Sequence, residues 1–284
     1  MNDVVKEFCS KLYDKTFNEF VESHKPTGKL TEKKLEELER DAQKEAIKQS
    51  IIGGIREFPA ISPAEVWKAI HIVHMYRKTR LDDLTLIANV VSADQSWKKS
   101  SGHAFEEMIK EICALYLKNY GVEIILQRDM STLLKANEIA NEPRDVSWLK
   151  EQTQKNIFDL YAIFHKDDKK YCFGCLQAKT SIRDRVTRDR EPSIHAMQSY
   201  FWSACIVLDG EFLKMPKFIS MVNGGTVEYP ENGWHGMYSF TTHEDNDRIY
   251  GIDIKFDRFI EHALKACKQW STQRQWIQRD WKAE

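Results

Sequence analysis

The sequence lacks any apolar run that approaches the length of a membrane span. Its acidic start, Met-Asn-Asp, is also unlike a signal peptide. The formal net charge is only −1, which argues against a surface that binds nucleic acid non-specifically but allows basic groups to be concentrated in one cleft. We therefore expect a soluble cytoplasmic protein without a membrane partner. Its 284 residues allow one large domain, or a large domain with a smaller companion.

Cysteine is scattered rather than clustered along the chain. The six cysteines are Cys9, Cys113, Cys172, Cys175, Cys205 and Cys267. Cys172 and Cys175 have the spacing of half a zinc site, but no second pair exists. Within a strand, two residues three apart would also face opposite sides of the sheet. The pattern therefore predicts reduced core thiols, as is usual in a cytoplasm.

Two apolar segments, 156–164 and 171–179, are separated by the polar run 165–170, and this pattern predicts a β-hairpin. The first segment carries Asp159 in its middle, and the second ends in Gln177-Ala-Lys179. Since strand residues two apart share a face, Gln177 and Lys179 point the same way. Pairing of the two strands would bring Asp159 beside them.

An acid and a lysine in such strands need partners, because burying either charge alone costs several kcal/mol. One explanation is a metal-dependent phosphodiesterase site, in which Asp159 binds a divalent cation and Lys179 holds the attacking water or the developing phosphate charge. The other is a partly buried ion pair that only sets the sheet register. These residues alone leave both explanations open.

The segment after Lys179 is rich in arginine and aspartate. Its charged residues are Arg183, Asp184, Arg185, Arg188, Asp189, Arg190 and Glu191. The arginine fork can grip guanine or phosphate through two hydrogen bonds, and a solvated charged loop is the alternative. Pro192 would open a helix that runs to Leu208.

The combination Asp159, Gln177-Ala-Lys179, Arg183-Asp-Arg185 and Glu191 resembles the PD-(D/E)xK nucleases, in particular the type II restriction endonucleases of CCGG-centred sites. The resemblance extends over most of the chain. It includes residues 57–59, 65–69, 96–107, 141–145, 215–219, 221–225 and 232–238. The pattern departs from the broad motif at Phe158, which replaces a proline, and at Gln177, which stands where an acid is usual.

The resemblance implies a set of site residues. In the CCGG group the displaced acid lies on a following helix, which points to Glu191. Asp159 and Glu191 would then hold magnesium, and Lys179 would act on water and phosphate. Glu106, beside the buried stripe of a helix over 104–117, would assist, and we choose it over Glu107. Arg183, Asp184, Arg185, Arg188 and Arg190 would recognise DNA.

The resemblance also implies the fold and the function. We expect an α/β protein with a restriction-endonuclease-like core, in which helices flank a central mixed sheet. Residues 1–92 would be an N-terminal helical region for dimerisation or DNA clamping, and residues 93–284 the catalytic domain. The chain would cut double-stranded DNA at W/CCGGW with Mg²⁺, leave 5′-phosphates and use no nucleotide cofactor.

A palindromic site implies a homodimer or a higher homo-oligomer. Two alternatives remain, a repair or junction nuclease of the same fold and an inactive DNA-binding protein. The second is motivated by Gln177.

Other local patterns predict the remaining elements. They comprise a helix from Thr31 with a break at Gly53-Gly54, a helix from Ser62-Pro63, a helix capped by Asp82-Asp83, a loop at 96–102, a strand at 122–126, a short helix from Ser147, strands at 218–222, 233–240 and 248–254, and a closing helix within 256–281.

Overall fold

The computed structural model describes residues 3–25, 31–81, 83–140, 146–181, 186–240, 245–272 and 277–283. The chain divides into two compact units, Met1–Ser96 and Trp97–Glu284. Among the described residues, no helix is long and apolar enough to cross a membrane.

The first unit is helical, as predicted. It contains α1 (Asp3–His24), α2 (Glu32–Glu57), α3 (Pro63–Thr79) and the beginning of α4 (Leu84–Leu117). The start of α3 is confirmed, because Ser62 Oγ accepts a hydrogen bond from Ala64 N at 3.3 Å and Pro63 is the first helical residue. Asp83 caps α4 in the same way, since its Oδ1 accepts from Thr85 N at 2.8 Å.

Two predicted interruptions of these helices are wrong. Helix α2 continues through Gly53-Gly54 to Glu57. Gly54 is buried, and a Cβ there would lie 2.6 Å from Val66 Cγ1, so the glycine permits close approach of α2 and α3. The predicted loop at 96–102 is helical, because α4 runs without a break from Leu84 to Leu117.

The second unit is built on a six-stranded sheet. Its strands are β1 (Val122–Leu126), β2 (Leu160–Lys166), β3 (Lys169–Ser181), β4 (Trp202–Asp209), β5 (Gly236–Ser239) and β6 (Ile249–Gly251), and they lie in that order across the sheet. Strands β1 to β3 are antiparallel, whereas β3 to β6 are parallel. The predicted hairpin and the predicted mixed sheet are therefore confirmed.

Helices cover both faces of this sheet. The remaining helices are α5 (Gln127–Lys135), α6 (Ser147–Gln154), α7 (Val186–Gln198), α8 (Pro216–Asn223) and α9 (Asp257–Thr272). One apolar core joins the sheet to α4 and α9 through residues such as Ile109 and Phe259. Two further cores join the opposite face to α5, α6 and α7, and to α8. Lys179 lies on this second face, since it follows the core residue Cys175 by four positions along β3 and residues an even number apart in a strand share a face.

The segment after β3 differs from the prediction of one helix from Pro192 to Leu208. Helix α7 begins earlier, at Val186, and contains Pro192. It ends at Gln198, and Tyr200 adopts a positive φ of 62° that redirects the chain. Residues 202–209 then form β4, in which six of eight residues are buried. Burial on both faces of a central strand explains a continuous apolar run that resembles a helix in sequence.

Two further predictions about local structure are wrong. Residues 218–222 lie in helix α8, which Pro216 opens, instead of forming a strand. Cys172 and Cys175 pack in the same core, although an unbroken strand would direct them to opposite faces. A β-bulge opposite Ala162/Ile163 inserts one extra residue and restores the common face. The prediction of free core thiols is confirmed, because all six cysteines are buried and unbridged.

Candidate active site

Asp159 lies immediately before β2 rather than in the middle of a strand as predicted. Its backbone is nevertheless held on both sides, because its N–H donates to Leu176 O at 3.1 Å and its carbonyl accepts from Gln127 N at 3.0 Å. These bonds fix Asp159 between β3 and the start of α5. The predicted proximity of Asp159 to the end of β3 is thus confirmed.

Lys179 forms an ion pair with Asp159. The distance from Lys179 Nζ to Asp159 Oδ2 is 2.8 Å, and Ala178 N donates to the same oxygen at 2.8 Å. The side chains of Lys179 and Asp159 are 16% and 22% exposed. Among the described residues, no hydrogen bond reaches Asp159 Oδ1. The pair is therefore pre-formed and partly buried, and one carboxylate oxygen remains able to bind a ligand.

The charge of Lys179 is supported by two acids. Burial lowers the pKa of Lys179, but the charges of Asp159 and Asp189, together with the hydrogen bond to Asp159, outweigh burial and raise the pKa above its ordinary value. The side chain is consequently an ammonium group at neutral pH. Such a group can stabilise negative charge that develops on a neighbouring phosphate.

Glu106 on α4 faces the same site. Its side chain is 20% exposed and lies 3.4 Å from His103 Nδ1. Burial raises the pKa of Glu106, and the charge of Asp159 raises it further, against smaller opposite effects of His103 and Lys179. Glu107, by contrast, pairs with Arg128. The structure thus brings Glu106, and not Glu107, into electrostatic contact with Asp159.

Helix α7 presents Asp189 rather than Glu191 to Lys179. The buried residues of this helix among 187–198 are Ser193, Ala196 and Met197. Asp189 shares their face, being four, seven and eight positions earlier. Glu191 is rotated by about 200° from Asp189 and is exposed. Within the described part of the chain, Glu191 has no hydrogen bond or ion pair with Asp159 or Lys179, so its role stays a prediction.

Gln177 occupies the position where the motif usually has an acid. It is 1% exposed. Its Nε2 donates to the carbonyl of Asp189 at 3.0 Å, and its Oε1 accepts from Trp234 Nε1 at 2.8 Å. Both ends of the amide are therefore engaged inside the protein.

Known proteins share this architecture. The family model described as BsaWI restriction endonuclease type 2 matches residues 141–276. The chain is also similar to the crystal structure of the pre-specific restriction endonuclease BsaWI–DNA complex. The two are 51% identical, the match covers 100% of this chain and 99% of that chain, and the TM-score is 0.86. This chain belongs to the BsaWI restriction endonuclease family.

Membership of the BsaWI family confirms the predicted resemblance and the predicted fold. A second solved structure, the specific restriction endonuclease AgeI–DNA complex, is 16% identical with a TM-score of 0.46, and the match covers 91% of each chain. No curated protein matches this chain.

The arginines predicted to recognise DNA in this BsaWI-family chain have different surroundings. Arg183, Asp184 and Arg185 lie outside the described residues. Arg188 is exposed on the first turn of α7. Arg190 donates from Nε to Met221 O at 3.0 Å and from Nη2 to Glu231 O at 2.6 Å, and it stacks on Tyr229. Its guanidinium is thus engaged with backbone carbonyls, which fits an anchoring role better than base recognition.

Sequence reasoning missed Asp189 and Trp234 as residues of this family member's site. The sequence places Asp189 in a charged loop, because Pro192 is the predicted start of the helix. A helical wheel that began earlier would have placed Asp189 with the apolar residues and Glu191 opposite. Trp234 is distant in sequence from β3, and no local pattern pointed to its bond with Gln177.

Proposed function

We propose that this restriction endonuclease cuts double-stranded DNA at the palindrome W/CCGGW by Mg²⁺-dependent hydrolysis. The observation that carries the chemistry is the partly buried Asp159–Lys179 pair with its 2.8 Å contact. DNA as substrate is supported by 51% identity to BsaWI, whose structure is a DNA complex. The CCGG core rests on the resemblance to the CCGG group, and the A·T flanks rest on the resemblance to BsaWI.

The acidic residues of the site fit a magnesium ion. Among the described residues, no three His, Cys, Asp or Glu side chains are grouped so as to hold a metal. Mg²⁺, however, commonly takes one or two protein carboxylates and completes its shell with water and substrate phosphate oxygens. Asp159 and Glu106 supply two such carboxylates, and their mutual repulsion would be relieved by a cation. The resemblance predicts Glu191 as a second ligand, but Asp189 lies on the buried face of the same helix and acts on Lys179, which favours Asp189 as the acid from α7.

The chain's own residues would position and polarise the reactants. Bound magnesium would supply positive charge that stabilises the phosphate and lowers the pKa of water. The Lys179 ammonium group would hold the attacking water and offset charge on the phosphate oxygens. Water oxygen attacks phosphorus, the P–O3′ bond breaks, the water proton passes to solvent and the 3′ oxygen takes up a proton. The products are a 5′-phosphate and a 3′-hydroxyl.

Recognition and assembly are proposed on the same basis. Arg183, Asp184 and Arg185 would read the central bases, with Arg188 beside them, since arginine and aspartate complement G and C edges in the major groove. A palindromic target matches a homodimer or a higher homo-oligomer. The N-terminal helical region would dimerise or clamp the DNA, and the enzyme would act in the cytoplasm, where its six thiols stay reduced.

Cleavage of a plasmid of known sequence tests the proposal. The protein is incubated with Mg²⁺ or with chelator, and the DNA ends are mapped. We expect discrete cuts before the first C of W/CCGGW only when Mg²⁺ is present. Cuts elsewhere, or only at branched DNA, would favour a repair nuclease of this fold. Binding to CCGG duplex without cutting would favour an inactive binding protein.

Arg185 tests the recognition residues separately. Arg185→Ala should weaken binding to the CCGG duplex before it changes the chemistry, because a two-point contact to guanine contributes roughly 1–3 kcal/mol of discrimination. Binding is measured in chelator by titration of cognate and scrambled duplexes. Normal affinity and normal cleavage by the variant would show that Arg185 does not read the site.

A further inference from the structure

The buried amide of Gln177 connects three parts of the second unit. Gln177 lies on β3, two residues before Lys179, and its Nε2 donates to the carbonyl of Asp189 in the first turn of α7. Its Oε1 accepts from the indole of Trp234, which is fully buried. Trp234 is itself fixed by Asn232, whose Nδ2 donates to Trp234 O at 2.9 Å. The first turn of α7 is therefore tied to the strand that carries Lys179.

The partners of Gln177 determine which chemical group can stand there. An indole N–H can only donate, and a backbone carbonyl can only accept. The side chain between them must offer one acceptor and one donor at its tip. Glutamine does so, whereas an ionised glutamate has no donor and would turn an oxygen toward the carbonyl oxygen of Asp189. The replacement of the usual acid by Gln177 therefore has a structural cause.

The bond from Gln177 ends on the residue whose carboxylate faces Lys179. Asp189 contributes to the raised pKa of Lys179, so its charge acts on the site. Other anchors of α7 lie elsewhere. Ser193 Oγ and Ser203 Oγ are 2.7 Å apart one turn later, and Arg190 bonds to the carbonyls of Met221 and Glu231. Gln177, by contrast, bonds to the backbone of Asp189 itself.

We propose that Gln177 and Trp234 are positioning residues that place the first turn of α7, and with it the Asp189 carboxylate, against Lys179. Position 177 thus contributes to the reaction by fixing helix α7 instead of binding metal. The consequence for cleavage rests on the proposed nuclease function, whereas the placement of α7 is a property of the protein alone.

The test uses the full chain with two single variants and one double variant. Trp234→Phe removes the indole donor together with part of the buried ring, and Gln177→Glu replaces the donor to Asp189 by a charged acceptor. Gln177→Met with Trp234→Phe removes both hydrogen bonds of the bridge. Tyr238→Phe is the matched control, because the OH of Tyr238 on β5 forms a buried 2.8 Å hydrogen bond with Nδ1 of His262 on α9, in the core on the other face of the sheet from α7. Each variant is compared by thermal unfolding, hydrogen exchange of residues 186–193, DNA affinity in chelator and single-turnover cleavage.

We expect faster hydrogen exchange of the backbone amides of residues 186–193 in both single variants. In Gln177→Glu, where Trp234 is unchanged, the NMR resonance of its indole N–H should also shift. The cleavage rate constant should fall roughly 10- to 100-fold, because a displacement of about 1 Å in a catalytic group has effects of that size. DNA affinity in chelator should change by less than about threefold, since Gln177 and Trp234 are buried and do not themselves contact DNA. The double variant should lose less than the product of the two single losses, because both hydrogen bonds act through the one side chain of Gln177.

Several results would overturn the proposal. Unchanged exchange and cleavage in Trp234→Phe and Gln177→Glu would do so, as would an equal loss of cleavage in Tyr238→Phe, which would reduce the effect to general stability. If Gln177→Glu does not fold, Trp234→Phe carries the same comparison. Absence of cleavage in the wild type would defeat the proposed function, but the exchange and indole measurements need neither DNA nor metal and would still decide the placement of α7.

Discussion

Two polar clusters in the second unit use their hydrogen-bonding groups in opposite ways. Around Asp159 and Lys179, charged side chains face one another and stay partly exposed. The second cluster, which we call the C-terminal clamp, consists of Asn232, His235 and Arg248, all at most 8% exposed. These three side chains donate to the carbonyl oxygens of residues 278–281 at 2.7–3.0 Å.

The difference shows that burial of polar groups does not by itself mark an active site. In the C-terminal clamp each donor meets a backbone acceptor, which satisfies the groups and holds the end of the chain. In the site, the charges of Glu106 and Asp189 act on the Asp159–Lys179 ion pair, and the excess of acids over the single ammonium group supports the proposed cation. Variants of the site should therefore change cleavage, whereas variants of the C-terminal clamp should change stability.

The largest expected effect is on cleavage at the ion pair. Asp159→Asn and Lys179→Ala should each lower the single-turnover rate constant by roughly 1,000-fold or more, since each removes a charge that acts on the phosphate. Binding of CCGG duplex in chelator should persist. Asp168→Asn and Lys169→Ala, exposed in the same hairpin, are the matched controls. Normal cleavage by either ion-pair variant would contradict the assignment of the site.

Variants of the C-terminal clamp should instead lower the free energy of unfolding. Arg248→Met leaves the carbonyls of Asp280 and Trp281 without their donors, and should lower the free energy of unfolding by roughly 3 kcal/mol, from two bonds to a charged donor. Arg258→Met is the control, because Arg258 is 47% exposed and its ion pair with Asp245 lies at the surface. Urea unfolding measures both. Equal free energies of unfolding of the two variants would show that Arg248 does not stabilise the end of the chain.

A smaller effect distinguishes the two acids of helix α7. Asp189→Asn should slow cleavage roughly tenfold or more, because the carboxylate that faces Lys179 loses its charge. Glu191→Gln should stay within about twofold, since Glu191 is exposed and points away. Both are isosteric changes of one charge on the same helix, assayed by single-turnover cleavage across Mg²⁺ concentrations. The reverse order would restore Glu191 as the displaced acid.

The smallest effect concerns the response of the C-terminal clamp to acid. Burial lowers the pKa of His235 to about 3. The unfolded chain binds this proton near the ordinary value of 6.5 and the folded chain does not, so stability falls as the pH decreases from 6.5 toward 3. The contribution is about 1.4 kcal/mol per pH unit. Urea unfolding at pH 7 and pH 5 should show a shallower fall for His235→Gln than for the wild type, and parallel falls would contradict this role.

Local patterns predicted much of the fold and part of the site. The hairpin, the first turn of α3 and the strand β1 follow from residue type and spacing over fewer than about ten residues. The same patterns failed for β4 and α8, because a short apolar run is compatible with a strand or a helix until its neighbours are known. The family resemblance supplied the central mixed sheet with its flanking helices, and it pointed to Glu106.

The sequence by itself determined that Asp159 and Lys179 meet, because a hairpin with a short turn leaves little freedom in register. Tertiary structure decided which acid of α7 turns toward them, since the helix begins before Pro192 and its phase is set by packing of Ser193, Ala196 and Met197. It also decided that Gln177 has an internal role. Its partners Asp189 and Trp234 lie 12 and 57 residues away, and hydrogen bonds over such separations depend on the packing of whole elements.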